Sequence, residues 1–286
     1  MSRLDKSEII FKLLSYILLT IFALCCLYPF IYILSASISS KAGVDSGRVF
    51  LWPDSFNFEV YLEAFKEKKF WISYCNSLFI TMYGTLVSML VGICGAYALS
   101  KTRLLFGRGF NFMLVFTMWF NAGMIPTYAN FKNFRVDNIY MFIIALGFNA
   151  FNIILLRNYF SSVPIEIEEA ATIDGATEFQ ILTKVYVPMS KSSIVTVAMF
   201  YAVARWNGYL WAQMLLNRDN YPLTVYIRQT IEDSISIREN SGVEASYSLN
   251  SLRYAYLVCS IIPIIILYPK LQKYFAAGVN VGGVKE

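Results

Sequence analysis

Three groups of side chains in this 286-residue chain are of types that do chemistry. The first is a knot of acids, Glu166, Glu168, Glu169, Asp174 and Glu178, set between two apolar stretches. The second is Arg205, followed by Trp206, Asn207, Trp211 and Gln213 in an apolar run. A guanidinium there is costly unless it faces a partner or water, and its planar fork binds a carboxylate through two parallel hydrogen bonds. The third is a set of amides in apolar surroundings, Asn76, Asn149 and Asn152. Amides meet sugar hydroxyls, and they also bond one helix to another. Histidine is absent. That removes His metal ligands, His general bases and every Ser–His or Cys–His nucleophile pair. The five cysteines (Cys25, Cys26, Cys75, Cys94, Cys259) form no CxxC pair. They are expected as buried small hydrophobes, with neither a disulfide nor a metal site. No GxxxxGK[ST] segment occurs, so the chain cannot cradle a nucleotide in that manner.

The elements that must position these groups follow from composition. Hydrophobic residues make up 57% of the chain and charged ones 15%, whereas a soluble domain carries roughly a quarter charged. There is too little polar surface to clothe a soluble globule, and the chain reads as an all-α polytopic membrane protein. The net charge of +5 is spread along the chain, so nucleic acid is not an expected partner.

A bilayer core about 30 Å thick takes roughly 20 apolar residues as helix. Six stretches qualify, near 13–34, 72–99, 109–129, 139–157, 191–216 and 254–272. The first follows Arg3, Lys6 and Lys12 but is too long for the apolar region of a signal peptide, and it reads as an uncleaved helix. The turn Lys101-Thr-Arg-Leu-Leu-Phe-Gly-Arg108 holds three cations and no acid, which with the N-terminal flank sets both termini on the cytoplasmic side. The expected organisation is one transmembrane domain over 1–286, with its core at 72–275, external loops at 35–71 and 217–253, and a cytoplasmic loop at 158–190.

That cytoplasmic loop reads as two short helices and a turn. Ser161 or Ser162 is placed to cap the first, Pro164 suits its first turn, and the acids oppose its positive dipole end. Asp174-Gly175 breaks it, because Gly tolerates the positive φ of a helix C-terminus. Thr177-x-x-Gln180 has the spacing of a capping box, and Pro188 ends the second helix.

The string Glu169-Ala170-Ala171, three residues, Gly175, nine residues, Val185, one residue, Val187-Pro188 resembles the EAA loop of binding-protein-dependent ABC importer permeases. Asp174-Gly175-Ala176 resembles the core of that loop, and Val185 and Val187 stand where the family pattern has Ile and Leu. The resemblance extends to Gly43–Tyr61 with Trp52-Pro53 and Phe56-Asn57, to Asn76-Ser77-Leu78, to Ala96-Tyr97-Ala98-Leu99-Ser100, to Trp206-Asn207 and to Leu271-Gln272-Lys273-Tyr274-Phe275. These are similar to the maltose-permease-like carbohydrate branch, second permease subunit. The tail 276–286 is similar to the subgroup importing oligosaccharides, uronate-containing ones included.

The resemblance implies a non-catalytic subunit of the bacterial cytoplasmic membrane that imports a sugar. It implies a second six-helix permease, a different chain, two cytoplasmic ABC ATPases that bind the ATP and Mg, and an extracytoplasmic solute-binding protein. Glu168, Glu169, Ala170, Ala171, Asp174, Gly175, Ala176 and Pro188 then form the coupling element that docks on an ATPase. Asn76, Asn149, Asn152, Arg205, Trp206, Asn207, Trp211 and Gln213 are candidates for the translocation path. Arg205 either favours an anionic sugar such as a uronate or is structural, paired with a backbone carbonyl or a partner's carboxylate. A secondary transporter is the alternative, but it lacks support because no Asp or Glu lies within the spans. An intramembrane enzyme lacks any visible catalytic constellation.

Overall fold

The computed structural model describes residues 6–120, 122–240 and 248–279. The described residues are almost wholly helical. In chain order the helices are α1 (Lys6–Ser37), α2 (Lys41–Asp45), α3 (Glu59–Lys66), α4 (Lys68–Ser100), α5 (Gly107–Trp119), α6 (Met124–Asn133), α7 (Ile139–Ala145) and α8 (Ala150–Phe160). They continue as α9 (Ile165–Ile173), α10 (Glu178–Ile181), a π-helical turn (Leu182–Tyr186), α11 (Val187–Met189), α12 (Lys191–Asn207), α13 (Leu210–Leu215), α14 (Leu223–Asn240) and α15 (Leu249–Val279). Residues 241–247 of the expected outer loop, the tail from 280 onward, and Arg3 lie outside the described residues.

Contacts divide the chain into two compact units, Met1–Lys68 with Ile227–Ile262, and Lys69–Tyr226 with Pro263–Glu286. In the first unit, serines tie the end of α1 to the segment that follows it. Ser35 Oγ donates to Leu51 O at 2.8 Å, Ser39 Oγ donates to Ser35 O at 2.6 Å, and the Ser37 and Tyr61 hydroxyls meet at 2.8 Å. Ser40 caps α2 by accepting from Gly43 N. A Cβ on Gly43 would stand 2.7 Å from Asp54 Cβ, so only glycine permits that approach.

The second unit is built on α4. Its buried face carries Ser73, Ser77, Gly84, Ser88, Gly92 and Ala96 at near four-residue spacing. Without a hydrophobic drive between helices in lipid, such small residues let backbones approach and gain dispersion contact. Tyr97, Leu114, Ile153, Leu156, Phe160, Ile181, Tyr186, Val197 and Tyr201 pack with Ala96 into one cluster, so α4, α5, α8, the loop helices and α12 meet there.

Among the described residues three helices are each long and apolar enough to cross a membrane, at Ser7–Ser37, Lys68–Ser100 and Leu249–Pro269, or up to five if each bent pair counts as one span. The expected span at 139–157 is two helices, α7 and α8, bent by 55°. The expected span at 191–216 ends at Asn207, and Gly208 separates α12 from α13. The expected span at 109–129 is broken between Trp119 and Met124, where Gly123 has φ +90°. At 1.5 Å per residue, α5 alone is about 20 Å long and falls short of the apolar core. Hydropathy averages over such breaks, which is why the sequence reads them as continuous. Four of the five cysteines, Cys25, Cys26, Cys75 and Cys94, are exposed on helix surfaces rather than buried, and only Cys259 is buried.

Candidate functional site

The loop between α8 and α12 has the expected helix–turn–helix form with different capping at its start. Neither Ser161 nor Ser162 caps α9. Ser161 closes α8, Ser162 Oγ donates back to Tyr159 O, and Pro164 itself is the N-cap residue of α9. The end is as expected. Gly175 takes φ +79°, its N–H donates to Thr172 O, and Ala176 N donates to Ala171 O, each at 3.0 Å. Thr177 and Gln180 form a complete capping box on α10. Pro188 does not stop the second helix. That helix passes through the π turn and runs to Met189, and Ser190 is where it bends by 86° into α12. A proline lacks the N–H that an α-helical ladder would require, and a wide turn just before it is a usual accommodation.

The π turn aims Tyr186 inward, where a charged network forms. Lys101 Nζ lies 2.6 Å from Glu168 Oε2, with side-chain exposures of 9% and 14%. The Tyr186 hydroxyl donates to the same oxygen at 2.5 Å. The ammonium also sits 4.2 Å and 4.3 Å from the ring centroids of Tyr97 and Tyr186, which meet edge to face at 5.0 Å. The Tyr97 hydroxyl donates to Glu178 Oε2 at 2.6 Å, and Arg103 pairs with both Glu178 and Glu168. Burial alone would raise the Glu168 carboxyl. The Lys101 ammonium and the Tyr186 hydroxyl outweigh it and hold that carboxyl below its usual range.

The other loop residues divide by face. Glu166, Glu169, Ala170, Asp174, Gly175 and Pro188 are exposed, whereas Ala171 and Ala176 pack against the core cluster. Ile173 and Phe179 stand 86% and 72% exposed beside them. Nothing in the residue pattern marks these two apolar residues. Nor does it mark Tyr97, Lys101, Arg103 and Tyr186 as loop partners, since Lys101 and Arg103 register in the sequence only as inside charge.

Arg205, 8% exposed, is the buried charge of α12. Its Nη2 donates to Ile143 O at 3.1 Å, Leu146 O at 2.6 Å and Ser88 Oγ at 3.2 Å. Ile143 and Leu146 lie at the C-terminal end of α7, where helix carbonyls lose their partners and the dipole end is negative. These bonds pair the cation with backbone carbonyls, while its buried Nη1 has no hydrogen-bond partner among the described residues. Gly84 makes room for it, with an ideal Cβ only 3.1 Å from Arg205 Nε.

Of the remaining path candidates, the structure brings Asn207 and Trp211 beside Arg205. Arg205, Asn207 and Trp211 line a cavity of about 360 Å³ with Phe142, Leu146 and Tyr209. Trp206 is buried edge-on to Tyr74, and Trp211 packs edge-on to Phe131. Asn149 caps α8 by accepting from Asn152 N, and Asn152 is buried in the same turn. Asn76 donates to the carbonyls of Asp219 and Tyr221. Gln213 is half-buried on α13.

Residues 2–281 match the model of one family, described as the binding-protein-dependent transport system inner membrane component. The chain belongs to that family. It is thus the transmembrane permease subunit of an ABC importer, with ATP hydrolysed by separate subunits. The permease is 36% identical to the polygalacturonan/rhamnogalacturonan transport system permease protein YtcP of Bacillus subtilis, over 96% of this chain and 98% of that protein. It is 34% identical to Protein LplC of the same organism, over 90% of this chain and 88% of that one. Among solved structures it resembles a chain of a bacterial ABC transporter involved in the import of the acidic polysaccharide alginate. There the TM-score is 0.87 at 46% identity, over 96% of this chain and all of that one. A chain of the alginate transporter in complex with a pentasaccharide-bound periplasmic protein shares the fold, with a TM-score of 0.60 at 13% identity, over 91% of this chain and 92% of that one.

Proposed function

We propose that this permease imports an acidic, uronate-containing oligosaccharide as one half of a membrane pathway. The observation that carries the substrate class is the 46% identity, over nearly the whole chain, to a subunit of an importer of an acidic polysaccharide. The relative named for polygalacturonan and rhamnogalacturonan supports it, since both polymers contain uronates. The pathway is completed by a second, different permease, two ATPases and an extracytoplasmic binding protein. The reading places six crossings at α1, α4, the α5–α6 segment, the bent α7–α8 pair, α12 and α15, with both termini cytoplasmic.

In this reading the exposed face of the 158–190 loop docks on an ATPase. Glu169 and Asp174 offer charge, and Ile173 and Phe179 offer apolar surface. Gly175→Pro or Glu169→Lys then abolishes uptake and uncouples or releases the ATPase while the chain stays inserted. Arg205 serves the pathway by holding the α7–α8 break, not by selecting charge. The test is uptake by the reconstituted importer of uronate and neutral oligosaccharides of equal length. Uptake of the uronate series alone is expected, and equal uptake of both overturns the substrate class. Loss of Arg205 is expected to reduce every substrate alike.

A further inference from the structure

We propose that Lys101 is a positioning residue that carries the motion of the coupling loop into α4, through its buried ion pair with Glu168. The proposal rests on the reading of the loop as the ATPase-coupling element. It assigns Glu168 inward, as a strut, and leaves Glu166, Glu169 and Asp174 for the partner.

The chain itself joins the loop only to α8 and α12. Nothing covalent ties α9 to α4, yet Lys101 directly follows the last residue of α4 and reaches Glu168 in the first turn of α9. The contact is not a surface ion pair of small worth. Both side chains are largely buried, the ammonium lies against two tyrosine rings, and the carboxylate accepts a further hydrogen bond from Tyr186. Breaking one member of such a pair leaves an uncompensated buried charge, so the pair holds one geometry or gives way altogether. Tyr186 also fixes the second loop helix to α9, and Arg103, two residues beyond Lys101, bridges Glu168 and Glu178. Both loop helices and the end of α4 are therefore pinned at one point. Force applied to the outer face of α9 reaches the span whose small-residue face packs the core of the unit.

The experiment uses the whole importer with its binding protein in proteoliposomes, reading substrate taken up per ATP hydrolysed and the amount of ATPase subunit that co-purifies. Lys101→Met is expected to keep the ATPase subunits bound and to lower uptake per ATP by about tenfold, within the span of typical coupling free energies. Lys101→Arg restores most of it. Tyr186→Phe, which removes one hydroxyl, gives a smaller loss and covers the case in which Lys101→Met fails to insert. A wild-type ratio in Lys101→Met overturns the proposal, as does release of the ATPase subunits by it; where Lys101→Met fails to insert, a wild-type ratio in Tyr186→Phe does so. Failure of the coupling-loop reading is seen separately, as normal ATPase association and coupling in Gly175→Pro and Glu169→Lys.

Discussion

Adding one methyl group at Gly84 tests whether Arg205 is held rigidly. Alanine is the better helix former by up to about 1 kcal/mol, so Gly84→Ala on its own terms favours α4. Its Cβ, however, would stand 3.1 Å from Arg205 Nε and 3.3 Å from Cδ and Cζ. The guanidinium must then yield by a few tenths of an ångström, but its Nη2 is bonded to Ile143 O, Leu146 O and Ser88 Oγ. Overpacking of this kind costs about 1–3 kcal/mol, so Gly84→Ala is expected to destabilise the permease by about 0–2 kcal/mol net. In an Arg205→Ala background the obstruction is gone and the same change becomes stabilising by up to about 1 kcal/mol. The coupling between the two sites is then about 1–3 kcal/mol. The assay is a four-member cycle of assembled importers, comparing apparent thermal midpoints, which move by about 2–4 °C per kcal/mol in chains of this size. An equal effect of Gly84→Ala with and without Arg205 refutes a clamped guanidinium beside Gly84.

Gly175 has open space around it but φ +79°, so the penalty there is conformational rather than steric. Gly175→Asn is expected to retain most uptake, while Gly175→Val costs roughly 1–2 kcal/mol or more locally and loses it. Thr177→Ala and Gln180→Ala each open the capping box and cost about 0.5–2 kcal/mol, read as faster amide exchange confined to 178–186. A carboxyl depressed in the folded state contributes stability above its unfolded pKa and loses it as pH falls through the folded value. Uptake per ATP is therefore expected to be flat with respect to Glu168 between about pH 6 and 8. Protection of the loop from proteolysis is lost only below the ordinary glutamate value of ~4.3, and Glu168→Gln removes that acid step.

The membrane class, the family and the turn chemistry of the loop were legible in the residues. Apolar content decides the solvent, and the Gly175 turn and the Thr177–Gln180 box are local signatures whose hydrogen bonds close within a few residues. The start of α9 is not legible, because Ser161 and Ser162 have the type of a cap whereas the preceding helix runs on to use them. The contacts of Asn76 with the Asp219 carbonyl and of Trp206 with the Tyr74 ring are not legible from residue type.

What the sequence by itself determined is therefore whatever depends on composition or on neighbours in the chain. Which charges meet was decided only by tertiary structure. Lys101 finds Glu168, and Arg205 finds the end of α7, across distances in the chain that no periodicity spans. The physical reason is shared by both. A buried charge takes its partner from whichever helix the packing of small residues on α4 brings alongside, and that packing is a property of the whole unit.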